Sequence, residues 1–418
     1  MPSFAYLFER FPSFVQTFVY REAEEMVREK MEPWLVSIRR PDDAAELAES
    51  VSTNIFYLPD ADAIRTEVDQ LRAQRKLPWR VHRAIPKHRQ QPDSNRLFEA
   101  AWLGPRLREQ GITHLHAHFG GVAARTAWWL RKLYGVTYSF TGHANDIFCE
   151  SGMPVTNESI VRDAKFVVTE TDFARSWVQE KYPGQAGKIF RVNNGLDDRF
   201  PARAPREGAP LILSVGRLVE KKGFGDLIEA CKGLRERGIS FTCEIVGDGP
   251  LQTVLQEQIA ALGLQETVRL LGPRSQAEVR KLLAESQLFV LACVPEEGGG
   301  SDNLPTVVME AMMCGLPVIS TELAGVPEMI TSGKNGLLVE PRKPGALAAA
   351  MEQLLSNPEQ AKKLASRGRQ TAVEKFHLST TTRSLKHLLV CEARVVPPAA
   401  ACDADPELAT LRPRRWFF

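Results

Sequence analysis

Short runs of β-branched and aromatic residues alternate with longer stretches whose apolar positions recur every three or four residues, most regularly beyond residue 209. The first pattern suits buried strands and the second amphipathic helices, so the alternation predicts βα units around parallel sheets. Strands are expected at 211–215, 241–246, 267–271, 287–292, 317–320 and 336–339, with helical stretches such as FGDLIEACKGLRERG, LQTVLQEQIAALG and AEVRKLLAES between them. The first half is less regular but of the same kind. Its strand candidates are 4–8, 33–38, 113–119, 136–142, 165–170 and 188–193, with helices starting near Thr17, Arg96, Ala123 and Asp172. Residues 200–210 (FPARAPREGAP) have no apolar period and read as a linker between two doubly wound domains. A helical stretch runs from Asn357 to about Arg394, and the Pro-rich 395–418 reads as a disordered or loosely docked tail.

Composition narrows the class. A chain of 418 residues exceeds one ordinary core, and 44% apolar with 25% charged residues is globular usage. The net charge of +2 argues against a dedicated nucleic-acid binder. The longest apolar run, Leu288 to Val294, falls far short of the ~20 residues of a spanning helix. No secretory signal is expected, because Glu9 and Arg10 interrupt the N-terminal apolar stretch. The seven cysteines are scattered without a C-x-x-C pair, so neither a zinc site nor a disulfide framework is suggested. A reduced, soluble, cytoplasmic protein of two domains is the expectation.

In parallel α/β sheets, ligands sit beyond the carboxyl ends of the strands, so the loops there carry the chemistry. After LILSV comes Gly216-Arg217-Leu218-Val219-Glu220-Lys221-Lys222-Gly223, whose Arg217 and Lys222 suit either a phosphate clamp or a solvated basic turn. Gly247-Asp248-Gly249-Pro250 reads as a tight turn with close backbone approach, since Gln252 stands where a dinucleotide fingerprint needs its third glycine. After QLFVLA, the Gly-rich acidic loop Glu296–Pro305 leads into the helix TVVMEAMMCG. Asn303 is expected to cap that helix, with Pro305 in its first turn and free N–H groups ready for a diphosphate. Glu310, about one and a half turns on, suits a ribose diol, and Asp302 another polyol. His143, in TGHAND, ends a strand of the first half, where a lone histidine is more often structural. His116 and His118 share a strand face, but a metal would need a third ligand that the sequence does not nominate.

Taken together, LILSVGRLVEKKGFGDLIEA, IVGDGPL and DNLPTVVMEAMMCGLPVISTELAGVPEMI resemble the retaining glycosyltransferases of family 4, with their E-x7-E and G-x-P-E signatures. FPSFVQTFVYREAEEM, HLHAHFGG and FTGHANDIF look most like the colanic-acid and exopolysaccharide branch. The resemblance spans nearly all of residues 1–390 and implies the α/β GT-B fold, two Rossmann-like domains facing a cleft. Residues 1–205 would form the acceptor-side domain, joined by a returning helix at about 376–394, and residues 206–375 the nucleotide-sugar domain.

The resemblance also implies roles. Arg217 and Lys222 would neutralise the donor diphosphate, Glu310 would hold the ribose, and His143 would contact the transferred sugar. Gly216, Gly247, Gly249, Asn303 and Leu304 would complete the donor site. Asp302 stands where most relatives carry a Glu that acts on the sugar hydroxyls, one methylene longer. Arg10-Phe11-Pro12-Ser13-Phe14 replaces the Gly-Gly loop of many relatives. The implied reaction moves a hexose from a nucleoside diphosphate (UDP or GDP) to a hydroxyl of a glycan or lipid-linked acceptor, with retention. Arg and Lys would replace the usual metal, so no metal or other cofactor is expected.

Competing readings are a sugar-nucleotide epimerase of the same fold, and a non-catalytic sugar-nucleotide-binding protein with Asp302 marking lost activity. The Asp-x-Asp pairs Asp60/Asp62 and Asp403/Asp405 read as solvated rather than metal-binding. Residues 72–90 carry seven Lys/Arg, no acid and Trp79. They suit a solvated basic face or a peripheral contact with an anionic membrane, here the inner face of the plasma membrane.

Overall fold

The computed structural model describes residues 4–13, 16–41, 55–143, 145–201, 203–297 and 300–397. The chain divides into two compact units. The first comprises residues 1–170, 174–195 and 378–418, and the second residues 171–173 and 196–377.

The first unit is built on a seven-stranded sheet: β1 (Ala5–Arg10), β2 (Trp34–Arg39), β3 (Ile55–Tyr57), β4 (His114–His118), β5 (Thr137–Gly142), β6 (Val167–Thr169) and β7 (Ile189–Arg191). Its order is β3-β2-β1-β4-β5-β6-β7, and its pairings are parallel. The second unit has β8 (Leu211–Val215), β9 (Thr242–Val246), β10 (Val268–Gly272), β11 (Leu288–Leu291), β12 (Val318–Thr321) and β13 (Leu337–Val339), in the order β10-β9-β8-β11-β12-β13. Those pairings are parallel as well. Both orders reverse beside the unit's first strand, between β1 and β4 and between β8 and β11. A doubly wound sheet opens its crevice at such a switch point, so the loops after these four strands are where each unit can receive a ligand.

Strands β8, β11 and β12 are buried along their whole length, as parallel strands covered on both faces must be. Their apolar runs therefore need no alternation. The strands expected from the sequence are all present. β3 was not among them: three residues are too short for a period, and its setting beside β2 comes from the sheet.

One boundary differs from the sequence reading, while the returning helix expected at about 376–394 is present as Leu378–Cys391. The proposed linker is part of the second unit, because Ala204 N and Arg206 N donate to Ala284 O (3.0 Å) and Glu285 O (2.9 Å). The Arg203 guanidinium also donates to Gly315 O and Ser286 O, closing two helix C-termini. The unit boundary thus falls at Gly195/Leu196, not near residue 205. The long C-terminal helical stretch is broken at His377 into Pro358–Phe376 in the second unit and Leu378–Cys391 in the first. The latter inserts Leu385, Leu389 and Val390 among Phe4, Tyr6, Val19 and Met26, and the buried Lys386 pairs with Glu29 at 3.0 Å. The tail from 398 lies outside the described residues.

Candidate active site

The second unit assembles its site from loops that need glycine. Gly223 has φ +64°, and a Cβ there would lie 1.7 Å from Ala292 O, so the loop after β8 can rest against the end of β11 only without a side chain. Gly247, at φ +139°, would meet Gly216 O at 2.0 Å. Backbone bonds complete the cluster: Leu218 N to Asp248 O (2.7 Å), Leu251 N to Leu218 O (3.1 Å) and Val294 N to Lys221 O (3.0 Å). The Gly247–Gly249 turn is therefore a close backbone approach, as the sequence suggests.

This packing directs the Lys222 stem over Gly216, where a Cβ would lie 3.2 Å from Lys222 Cδ. Its ammonium forms an ion pair with Asp302, and Lys221 Nζ stands 3.9 Å from the same carboxylate. Burial favours the neutral amine, but Asp302 outweighs it and the Lys222 pKa is raised. Cys293 Sγ lies 3.8 Å from Asp302, and burial pushes its thiol pKa well up, so it acts as a neutral neighbour. Arg217, the other half of the expected clamp, is exposed to solvent.

The helix Thr306–Cys314 follows this loop. Asn303 does not cap it. Pro305 occupies the N-cap position, and the buried Asn303 instead accepts a hydrogen bond from Thr171 Oγ1 at 2.7 Å. The Asn303 backbone is further locked by Gly325, whose Cβ would lie 2.4 Å from Asn303 O. The first-turn N–H groups thus start without a side-chain cap, at the positive end of the helix dipole. Leu304, just before the helix, and Glu310, within it, are buried.

His143, in the first unit, follows β5 and is buried. Its Nδ1 is 2.7 Å from Glu170 Oε1, which fixes the proton on Nδ1, and its Nε2 has no hydrogen-bond partner among the described residues. Burial lowers the imidazole pKa, but Glu170 and then Asp146 and Glu22 more than reverse this, so it is raised. Asp146 accepts from His143 N and Gly120 N, tying the loops after β5 and β4 together. Phe119 and Phe18 flank the imidazole at ring distances of 4.5 and 4.8 Å.

Glu170 is the residue of this cluster that sequence reasoning missed. Its position directly after β6, at a strand's carboxyl end, was the available signal. Its neighbour Asn194, 2.5 Å away and distant in sequence, had none.

The histidine ladder of β4 resolves differently. Thr137 donates its one hydroxyl proton to Thr113 O, so it accepts from His114 Nδ1–H. Ser139 then donates to His114 Nε2 and accepts from His116 Nδ1–H, which leaves Thr141 to donate to His116 Nε2. Burial holds both rings neutral, lowering the His114 pKa to about 3 and that of His116 well below its ordinary value. Glu22 supplies the third ligand the sequence could not nominate, since Glu22, His116 and His118 each bring one donor atom within 4.8 Å of the others. Yet both His116 nitrogens are already engaged, and Glu22 accepts from Tyr6 at 2.7 Å and lies 3.2 Å from His118 Nε2. The geometry is that of a hydrogen-bonded wall. Asp60 Oδ1 likewise caps its own helix through Asp62 N and Ala63 N, whereas Asp403 and Asp405 lie outside the described residues.

Residues 197–371 match the family described as glycosyl transferases group 1. The WcaL protein of Escherichia coli K12, named for colanic acid biosynthesis, is 36% identical over 210 residues, which are 48% of this chain and 51% of WcaL. The amylovoran biosynthesis glycosyltransferase AmsK of Erwinia amylovora is 41% identical over 143 residues, 34% of this chain and 35% of its own. The chain spans about half the length, or less, of these curated relatives. Among solved structures, HepE of Anabaena in complex with UDP covers 92% of this chain and 99% of its own at 18% identity, with a TM-score of 0.68, a likeness of fold. No helix among the described residues is long and apolar enough to cross a membrane. The protein thus has the GT-B fold, two parallel-sheet Rossmann-like units, and residues 197–371 of the second match the glycosyl transferases group 1 family.

Proposed function

We propose that the protein is a retaining glycosyltransferase that moves a hexose from a nucleoside diphosphate to a hydroxyl of a glycan or lipid-linked glycan in cell-surface polysaccharide synthesis. The observation that carries this reading is the Lys222–Asp302 ion pair, held beside the uncapped start of Thr306–Cys314 at the switch point of a group 1 unit. A diphosphate offers Lys222 more negative charge than one carboxylate and can accept hydrogen bonds from N–H groups at the start of that helix. Lys222 and Arg217 would then stabilise the leaving diphosphate, with no divalent ion required. Asp302, released from Lys222, would be free to accept hydroxyls of the transferred sugar. Glu310 is assigned to the ribose.

His143 is assigned to the transferred hexose, with Nε2 as the contacting atom. Retention follows if the departing diphosphate oxygen takes the acceptor proton on the same face, leaving the protein to position groups and stabilise charge. The names of WcaL and AmsK support a polysaccharide acceptor, and the UDP of HepE makes UDP-hexoses the first donors to test. The experiment is turnover of radiolabelled UDP- and GDP-hexoses with lipid-linked glycan. Label transferred to the acceptor with an unchanged anomeric configuration supports the proposal. Binding without transfer or hydrolysis would make the protein a non-catalytic binder.

A membrane contact is proposed for the basic stretch. Trp79, 62% exposed, opens the helix Trp79–His88, and Arg80 and Arg83 lie 5.7 and 5.6 Å from its ring centre. That face should bind anionic vesicles at low salt and release them as salt rises. Indifference to such vesicles would remove it.

A further inference from the structure

A cavity of about 560 Å³ opens in the first unit at the carboxyl ends of β2 and β3. That volume suits a group the size of a sugar residue. Three arginines line it: Arg39 and Arg40, both exposed at the end of β2, and Arg96, 2% exposed, near the start of the helix Asn95–Glu109. Arg96 Nη2 donates to Glu99 Oε1 at 2.6 Å. Its Nε stands 3.5 Å from Asp93 Oδ1, and neither Nε nor Nη1 has a hydrogen-bond partner among the described residues.

Leaving guanidinium donors unpaired in a buried place is costly unless something accepts from them. The nearby acids are already engaged, Asp93 through Oδ1 in an ion pair with Arg96 itself. Asp93 accepts from Arg125 Nε at 2.6 Å, and Asp60 Oδ1 caps its own helix. Glu9 accepts from Arg39 at 3.2 Å. Burial pushes the Glu99 carboxyl up to about 7, so it only partly offsets Arg96 at neutral pH. Arg40 lies over Tyr57, 4.3 Å from the ring centre, which holds its guanidinium at the rim.

We propose that this cavity is an anion subsite in which Arg96, with Arg40 and Arg39 at the rim, grips a carboxylate or phosphate group of the acceptor. The word acceptor rests on the transferase reading; the anion subsite does not. With Nη2 on Glu99 and Nε facing Asp93, Nη1 is the Arg96 nitrogen left to donate to one oxygen of either anion, and Arg40 and Arg39 bring further guanidinium donors to the others. The two sources differ: a uronic-acid residue of the glycan, or the phosphate of a lipid carrier.

Isothermal titration of the full chain separates them, with methyl α-D-glucuronide and inorganic phosphate as charged probes and methyl α-D-glucoside as the neutral control. One charged probe should bind, and the glucoside at least about tenfold more weakly. Arg40→Ala should weaken that probe about tenfold, and Arg96→Lys, which keeps the charge but loses the Nη1 donor, by at least as much. UDP affinity should be unchanged in both variants. Should Arg96→Lys not fold, Arg40→Ala and Arg39→Ala carry the test.

Preferential binding of glucuronide identifies a uronate, and of phosphate a lipid-phosphate, as the occupant. Failure of both charged probes to bind the wild type, or binding untouched by every arginine variant that folds, overturns the proposal. If hexose transfer is observed without anion binding, the subsite is wrong and the transferase reading stands. If UDP does not bind but an anion binds through Arg96, the subsite stands and its occupant is not an acceptor.

Discussion

The two units share one strand order but build the ends of their strands from different materials. At the switch point of the second unit, glycines let three loops interlock through backbone, and the charges rest on them: Lys222 over Gly216, Asp302 against Lys222. In the first, buried side chains do the work: His114 and His116 form a one-directional ladder with Ser139 and Thr141 along β4 and β5, and His143, after β5, is held by Glu170. A backbone-built site tolerates changes around it but not at its glycines. A side-chain-built site depends on each hydroxyl and imidazole keeping its proton in place. One arrangement suits gripping a diphosphate, whose charge is fixed, and the other orienting a neutral sugar.

The contrast can be broken most severely at Lys222. Lys222→Ala should lower kcat/KM by ~100-fold or more, the scale of losing one charge-stabilising donor, without altering the folding of the first unit. Steady-state kinetics check it, and near wild-type turnover would remove the clamp from the mechanism. His116→Phe should do the reverse. It leaves the Ser139 and Thr141 hydroxyls each short of a partner and should destabilise the first unit by about 2 kcal/mol, with UDP affinity unchanged. Urea unfolding followed by tryptophan fluorescence reads this selectively, because the described tryptophans (34, 79, 102, 128, 129 and 177) all lie in the first unit.

Glu170→Gln should cost about tenfold in kcat/KM, the scale of one charge-assisted hydrogen bond. It also sharpens the account through pH. Glu170 raises the His143 pKa, so the imidazolium persists to higher pH and its contribution falls as pH climbs through that value. Removing the carboxylate lowers the pKa and should move the alkaline limb of the pH–rate profile to lower pH. A merely structural role would lower activity without moving that limb. Smallest is Ser275→Ala, which removes the capping box of Gln276–Glu285 with Glu278. It should reduce stability by about 1 kcal/mol in calorimetry and leave nucleotide binding alone.

Legibility in the sequence followed the same division. The second unit could be read almost completely, because its signals are local: glycines after strands, and charges at fixed spacing from them. Even there, Asn303 reads as a cap by type and position, yet Thr171, some 130 positions earlier, claims its side chain. In the first unit the partners that give residues their roles are remote. Glu170 meets His143 through strand pairing, Glu22 of the helix Thr17–Arg28 meets His118 of β4, and Arg96 shares a cavity with Arg39 and Arg40. Nothing periodic marks such pairs. The residues at 203–206 were misread for a related reason, since a segment without an apolar period can still be fixed by hydrogen bonds to helix ends.

The most direct measurement is calorimetric titration of UDP, GDP and ADP into the wild-type protein and Lys222→Ala. The account predicts that one nucleoside diphosphate binds the wild type and that Lys222→Ala weakens it at least about tenfold, as loss of a charge-assisted contact requires. Absence of binding by all three, or equal affinity in the variant, would contradict it.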